Sequence, residues 1–157
     1  MKILLLSILL SLTLSVDFYD NEAVISYAKK WCNSSNPYYN YYEGSKGGDA
    51  SNFVTQCLMQ GGINFSGCER DSKGSIPDYY VLKKCLLDMG WHYSRFIPKE
   101  FKAGYPVVYG NIIAIATYVN EKDIKVCTHA NSFLGSKHPS CDVPVMYFGE
   151  SVYFYLK

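Results

Sequence analysis

The spacing of apolar residues changes at Trp91, and this change limits the fold more than any other feature of the chain. Before Trp91 the apolar residues recur at helical spacing, which predicts helices over residues 20–31, 49–60 and 78–89. After Trp91, short runs rich in β-branched and aromatic residues predict strands. These strands are residues 92–96, 107–109, 112–118, 124–128, 143–147 and 152–156. Helices followed by antiparallel strands predict an α+β domain, with N-terminal helices packed on an antiparallel β-sheet of about five or six strands.

The second predicted helix has the clearest boundaries. Asp49 is the type of residue that caps a helix N-terminus, and Gly61-Gly62 is typical of a helix end. Between them, an apolar stripe is expected to face the core. The stripe consists of Phe53, Val54, Cys57 and Leu58. The segment therefore predicts a helix with one buried face.

The first residues read as a secretory signal peptide. Lys2 precedes an apolar run over residues 3–14, small residues follow around Ser15, and Asp17 ends the run. A membrane span would need about 20 apolar residues, so this run predicts cleavage rather than anchoring. We expect residues 1–15 to be the signal peptide and residues 16–157 to form one secreted, extracellular domain without a membrane span.

Charge and cysteine spacing exclude several classes of function. The formal net charge is +1, and loss of Lys2 brings the mature chain close to neutrality, so nothing predicts nucleic acid or an anionic membrane as a partner. No two cysteines stand at C-x-x-C spacing, and the three histidines are dispersed. We therefore predict no metal and no cofactor.

An even number of cysteines in a secreted chain favours disulfides, although the sequence leaves the pairing open. Cys32, Cys68 and Cys141 stand in polar loop settings and are the stronger candidates. Cys57 and Cys85 lie on apolar helix faces and are either bridged or simply buried. The full set of candidates is Cys32, Cys57, Cys68, Cys85, Cys127 and Cys141. Two sequons, at Asn33 and Asn64, permit glycosylation in a eukaryotic host.

Several segments together resemble a known family. Residues 49–56 read Asp-Ala-Ser-Asn-Phe-Val-Thr-Gln, residues 19–31 resemble the opening helix of the same family, and Asn36-Pro37-Tyr38 is similar to its next loop. Thr128-His129-Ala130-Asn131 resembles one of its later strands. The family is the putative amidase domain, and the resemblance implies an NlpC/P60-type, papain-like cysteine hydrolase fold.

The resemblance also implies a catalytic site, and this chain lacks most of it. The family's cysteine nucleophile stands at a helix N-terminus, where the dipole and free N–H groups lower the thiol pKa, and a histidine on a strand takes the proton. Ala50 occupies the cysteine position, and Asn111 or Ile112 occupies the histidine position. His129 is the surviving third residue, with Asn131 nearby.

A binding role remains open to such a chain. Of its 15 tyrosines, four stand close together in the loop before the second helix, namely Tyr38, Tyr39, Tyr41 and Tyr42. Tyrosine joins a flat apolar face to a hydrogen-bonding tip, which suits peptide or glycan ligands and protein interfaces. Together with Asp49, Ser51 and Asn52 they are the candidate binding residues. The alternative is that the rings cover the core of a small domain.

The sequence therefore favours a secreted, catalytically inactive amidase-like protein (a pseudoenzyme) with a binding role or an extracellular assembly role through protein partners or self-association. The alternative is a cysteine-type amidase or peptidase that hydrolyses peptide or cell-wall amide bonds, with Ala50 an engineered replacement of the nucleophile. Ser51 is a poor substitute, because one helical step turns a side chain by about 100° and a serine still needs a base within reach.

Overall fold

A computed structural model describes residues 18–43, 48–130, 140–145 and 151–157, where three helices are followed by six strands. The helices are α1 (Asn21–Trp31), α2 (Ala50–Gln60) and α3 (Tyr79–Asp88). The strands are β1 (His92–Ser94), β2 (Pro106–Tyr109), β3 (Ile112–Val119), β4 (Ile124–Thr128), β5 (Ser140–Val145) and β6 (Ser151–Tyr155). The predicted α+β class, with N-terminal helices and an antiparallel sheet, is confirmed. The predicted signal peptide, Asn131 and residues 146–147 of a predicted strand lie outside the described residues.

All described strand pairs are antiparallel, and the sheet order is β1-β6-β2-β3-β4-β5. Strands β2 to β5 form the expected meander. The last strand differs from a simple meander, because β6 inserts between β1 and β2 and pairs with both. The longest strand, β3, lies inside the sheet, and the two helices α1 and α2 pack on it.

Two of the three helices begin at aspartates that cap them in the expected way. The Asp20 carboxylate accepts the N–H of Ala23 at 3.0 Å at the start of α1, and Asp78 accepts the N–H groups of Tyr80 and Val81 at the start of α3. Asp49 occupies the predicted N-cap position of α2, but among the described residues its side chain makes no capping bond to this helix. The Asp49 carboxylate therefore bonds to groups other than the backbone N–H groups of α2.

Helix α2 is buried on nearly every side. The predicted stripe of Phe53, Val54, Cys57 and Leu58 is fully buried, but the polar residues between these positions are buried too. Each is held by a partner: the Thr55 hydroxyl, for example, donates to the Ser51 carbonyl at 2.8 Å. The prediction of a single buried face is wrong, because α1 and the sheet enclose this helix together with the loops that precede and follow it.

Two disulfides are present, as the cysteine count predicted. Cys32 at the end of α1 is bonded to Cys141 on β5, 109 residues away, and Cys68 is bonded to Cys85 on α3, 17 residues away. In the chain-entropy account, loops of these lengths contribute about 5 and about 3 kcal/mol. The other two candidates, Cys57 and Cys127, are free thiols in the core. None of the described helices has the length and apolar character needed to cross a membrane.

Gly61 allows α1 and α2 to approach closely. A Cβ atom at this position would lie 2.4 Å from Cγ2 of Val24 and 3.1 Å from the carbonyl oxygen of Asp20. We predict that Gly61→Ala lowers the free energy of unfolding by about 1–3 kcal/mol, because the β-branched Val24 has no other favourable rotamer in the helix. Urea denaturation with the disulfides intact measures the change.

Gly67→Ala is the matched control, since among the described residues nothing lies within 4 Å of a Cβ atom added there. Its free energy of unfolding should stay within about 1 kcal/mol of the wild-type value. Equal losses in the two variants would show that packing against α1 does not constrain position 61.

Candidate functional site

The start of α2 lies in the interior of the protein. Ala50, the first residue of the helix, is 4% exposed, and Ser51 and Asn52 beside it are also buried. The Ala50 methyl group offers neither a nucleophile nor a hydrogen-bonding atom. Among the predicted binding residues, Asp49, Ser51 and Asn52 are therefore buried, which the sequence did not indicate.

The carboxylate of Asp49 is the centre of a buried network. Its Oδ2 lies 2.7 Å from Nδ1 of His129, and its Oδ1 accepts the N–H of Tyr42 at 3.0 Å and the amide of Asn52 at 2.6 Å. Asp49 and His129 are 1% and 2% exposed. The carboxylate thus joins the start of α2, the tyrosine loop and the end of β4.

The imidazole of His129 has no free nitrogen. While Nδ1 faces the Asp49 carboxylate, Nε2 lies 2.8 Å from the carbonyl oxygen of Trp31. A carboxylate and a carbonyl oxygen are both acceptors, so each ring nitrogen of His129 faces an acceptor within the protein. The ring also stacks on Phe53 with 4.0 Å between ring centroids. Both ring nitrogens are thus engaged by partners in the interior.

The predicted base positions carry no ionisable group. Asn111 is exposed in the turn between β2 and β3, and Ile112 is the first residue of β3. This end of β3 lies beside the end of β4, because the Thr128 hydroxyl donates to the carbonyl of Ile113 at 2.9 Å. The structure therefore brings the start of β3 close to the residue before His129, but it places no second imidazole there among the residues it describes.

A second network supports the first from the loop side. Asp71 accepts the hydroxyl of Tyr42 at 2.8 Å and the amide of Asn40 at 3.0 Å, and it also accepts the N–H groups of Lys73 and Ser75. Burial alone would raise the pKa of the Asp71 carboxyl, but these four hydrogen bonds outweigh burial and lower the pKa. The tyrosine loop is thus fastened to residues 71–75.

The four loop tyrosines divide into two pairs. Tyr41 is 41% exposed and places its ring edge-on to His129, with centroids 6.3 Å apart, and Tyr42 bonds to Asp71, so both contact the two networks. Tyr38 and Tyr39 pack against each other, with centroids 5.0 Å apart. Tyr38 is 64% exposed.

A cavity of about 490 Å³ opens between α1 and the tyrosine loop. Its aromatic walls are Tyr27, Trp31, Tyr38 and Tyr39, and its polar groups are Ser26, Lys30, Asn36 and Gln60. The two loop tyrosines were predicted from the sequence, but the α1 side of this cavity was not. The spacing of Tyr27 and Trp31 could have predicted that side, because it puts two aromatic rings on one face of α1.

The phenol of Tyr27 organises the cavity wall. It donates to the side-chain oxygen of Gln56 at 2.8 Å and accepts the amide of Asn36 at 2.9 Å. Burial raises the pKa of Tyr27 well above its usual value, so the hydroxyl keeps its proton and the donor role. Lys30 lies beside it, with its Nζ 5.1 Å from the centre of the Trp31 ring.

One group of potential metal ligands occurs in the part of the chain that the structure describes. The sulfur atoms of Cys32, Cys127 and Cys141 all lie within 4.8 Å of one another. Two of the three are joined in a disulfide, and a disulfide sulfur is not a thiolate ligand. The arrangement shown is therefore a disulfide with a thiol beside it.

The fold and this site define an α+β domain whose second helix begins beside the buried pair of Asp49 and His129. Residues 18–125 match the family model described as a putative amidase domain. Because this match spans more than half of the chain, the protein belongs to the putative amidase domain family. No curated protein and no solved structure matches the chain.

The Asp49–His129 pair makes a large contribution to stability that an ordinary helix cap does not make. We predict that Asp49→Ala lowers the free energy of unfolding by about 3–5 kcal/mol, because it leaves a ring nitrogen of His129, the Tyr42 N–H and the Asn52 amide without their buried partner. Asp78→Ala removes an aspartate from the corresponding N-cap of α3, and there the loss should be about 1 kcal/mol. Urea denaturation of both variants tests the difference, and equal losses would contradict it.

Proposed function

We propose that the protein is a catalytically inactive member of this family that binds a ligand in the cavity between α1 and the tyrosine loop. Catalytic inactivity is inferred from one observation: α2 begins at Ala50, and both nitrogens of His129 are hydrogen-bonded within the protein. Cysteine-type amide hydrolysis needs a thiolate and a base that can take a proton, and neither group is available here.

The two free thiols in the described residues do not replace the missing nucleophile. Burial raises the pKa of the Cys57 thiol well above its usual value, and it raises the pKa of Cys127 to about 11. Both thiols are therefore protonated at neutral pH, and the thiolate is the reactive species. Cys57 is also fully buried on α2.

The cavity has the composition of a site for a peptide or a glycan. Tyrosine and tryptophan faces stack on flat or apolar ligand surfaces, while amide groups such as those of Asn36 and Gln60 fix orientation through hydrogen bonds. The ammonium group of Lys30 adds one positive charge at the rim. This combination favours a ligand with both a planar face and polar or acidic groups.

The proposal also includes the fold type, secretion and glycosylation. An NlpC/P60-type, papain-like fold is supported by the position of α2 on the inner strands of an antiparallel sheet. Secretion after cleavage near residue 15 is supported by the apolar start of the chain and by two disulfides. Glycosylation at Asn33 and Asn64 is supported by the exposure of both residues.

An extracellular assembly role is the second candidate, and exposed rings favour it. Phe96 is 83% exposed and Tyr80 is 77% exposed, and Tyr93 lies half-exposed on β1, an edge strand of the sheet. Exposed apolar groups beside an unpaired strand edge favour contact with another chain.

We predict that Ala50→Cys produces no thiol-dependent amide hydrolysis, because His129 has no free nitrogen with which to activate the introduced thiol. The measurement is release of amine from peptide and cell-wall amide substrates, with wild-type protein as the control for its own two thiols. Alkylation by iodoacetamide should also show an ordinary thiol, without a lowered pKa. Turnover by this single variant would restore the interpretation as an amidase whose nucleophile has been replaced.

Ligand binding to the cavity is tested with glycan and peptide arrays. Tyr38→Ser combined with Tyr39→Ser should remove binding, because it deletes one aromatic wall. Tyr80→Ser is the matched control, since this tyrosine is exposed on α3 and does not line the cavity. Binding that survives the double change would exclude the cavity. Concentration-dependent association in sedimentation, without array binding, would favour the assembly role.

A further inference from the structure

The three-cysteine group at the end of α1 has a particular geometry. Cys127 on β4 is a fully buried thiol, and its sulfur lies within 4.8 Å of both sulfurs of the Cys32–Cys141 disulfide. The backbone N–H of Asp142 points at the Cys127 sulfur, at 3.4 Å. The thiol is therefore held against the residue that follows one of the two bonded cysteines.

A β-bulge places Cys127 opposite Cys141. Val126 pairs with Val143 and Thr128 pairs with Ser140, so one residue of β4 faces two residues of β5, Cys141 and Asp142. Neighbouring strands lie about 4.7–4.9 Å apart, and a disulfide joins Cα atoms about 4.4–6.8 Å apart. A bond between Cys127 and Cys141 thus fits the existing strand spacing.

We propose that Cys32, Cys127 and Cys141 form an intramolecular thiol–disulfide exchange site with two covalent states. One state is the Cys32–Cys141 disulfide with a free Cys127 thiol. The other is a Cys127–Cys141 disulfide with a free Cys32 thiol.

The exchange needs no external oxidant or reductant. The Cys127 thiol gives its proton to solvent, and the thiolate attacks Sγ of Cys141. The new bond forms between Cys127 and Cys141 while the Cys32–Cys141 bond breaks. The electron pair leaves on Sγ of Cys32, which then takes up a proton. One disulfide and one thiol are present before and after the step.

The surroundings of Cys127 make this step slow at neutral pH. Burial raises the pKa of the thiol to about 11, and the negative charge of Asp142 on β5 also raises it. The Asp142 N–H, the hydroxyl of Thr117 on β3 and the charge of Lys29 on α1 act in the opposite direction. Cys57 on α2 is a further titratable group coupled to Cys127. The rate should therefore increase with pH up to this value.

The two states differ in what they hold together. The Cys32–Cys141 bond ties the end of α1 to β5, whereas a Cys127–Cys141 bond would join two strands that are already paired. Exchange therefore removes the covalent link from the end of α1, where Trp31 stands, and leaves the Lys29–Asp142 ion pair and the His129–Trp31 hydrogen bond.

The test uses the oxidised full-length mature protein, incubated at several pH values, quenched in acid, unfolded and alkylated with N-ethylmaleimide. Mass spectrometry then identifies the labelled cysteines. At first the labels should be on Cys57 and Cys127, and with time the label on Cys127 should move to Cys32. A two-unit rise in pH below the thiol pKa should speed the transfer about 100-fold, because the thiolate fraction grows about tenfold per unit.

Three variants make the result decisive. Cys57→Ser should exchange like the wild type, whereas Cys127→Ser should never yield a labelled Cys32. Cys32→Ala, refolded with oxidised glutathione, should form the Cys127–Cys141 bond within one chain. The proposal is overturned if Cys32 stays unlabelled at high pH, if Cys141 is labelled in its place, or if Cys141 of the Cys32→Ala variant carries glutathione.

Discussion

The buried pair of Asp49 and His129 is the interaction on which the rest of this site depends. It joins residues 80 positions apart, and through their other atoms it also holds the Trp31 carbonyl and the Tyr42 N–H. A buried polar group without a hydrogen-bond partner costs about 1–3 kcal/mol, so such a pair is tolerated only when its hydrogen-bonding capacity is used. Here it is used: the carboxylate has three polar partners, and the ring has one at each nitrogen. The same arrangement that joins these segments leaves neither ring nitrogen of His129 open to a further partner.

The helices and the strands that follow one another in the meander could be predicted from the sequence, but the pairing of distant strands could not. Helix and strand periods depend on near neighbours, so α1, α2, α3 and the β2–β5 meander were predicted. The insertion of β6 between β1 and β2 depends on pairing of distant segments, such as His92 with Tyr155, and no local pattern encodes that choice. The same limit applies to Asp49. Its residue type predicted its position at the helix N-cap. Its carboxylate, however, contacts the imidazole of His129, and only the folded sheet brings that ring close.

The candidate site, too, could be predicted only in part from the sequence. The sequence pointed to the start of α2 and to the tyrosine loop, but it placed the binding cleft beside Asp49, Ser51 and Asn52. Those side chains are buried because α2 is covered on nearly every side, which an amphipathic pattern does not predict. The cavity lies instead on the outer side, against Tyr27 and Trp31 of α1. Position 50 at the start of α2 and the cavity therefore lie in different parts of the protein, so the proposed loss of catalysis and the proposed binding do not depend on the same residues.

Two consecutive residues at the end of α1 connect the Asp49–His129 pair, the cavity and the three-cysteine group. The carbonyl oxygen of Trp31 is hydrogen-bonded to His129, the Trp31 ring lines the cavity, and Cys32 is bonded to Cys141 on β5. The helix end is thus held once by hydrogen bonding and once covalently. With the disulfide moved to Cys127, the hydrogen bond to His129 and the exposed ion pair between Lys29 and Asp142 would remain, and the aromatic wall would be freer to shift relative to the tyrosine loop. A wall that binds a ligand would tolerate such movement, whereas a nucleophile and a base held for reaction would not.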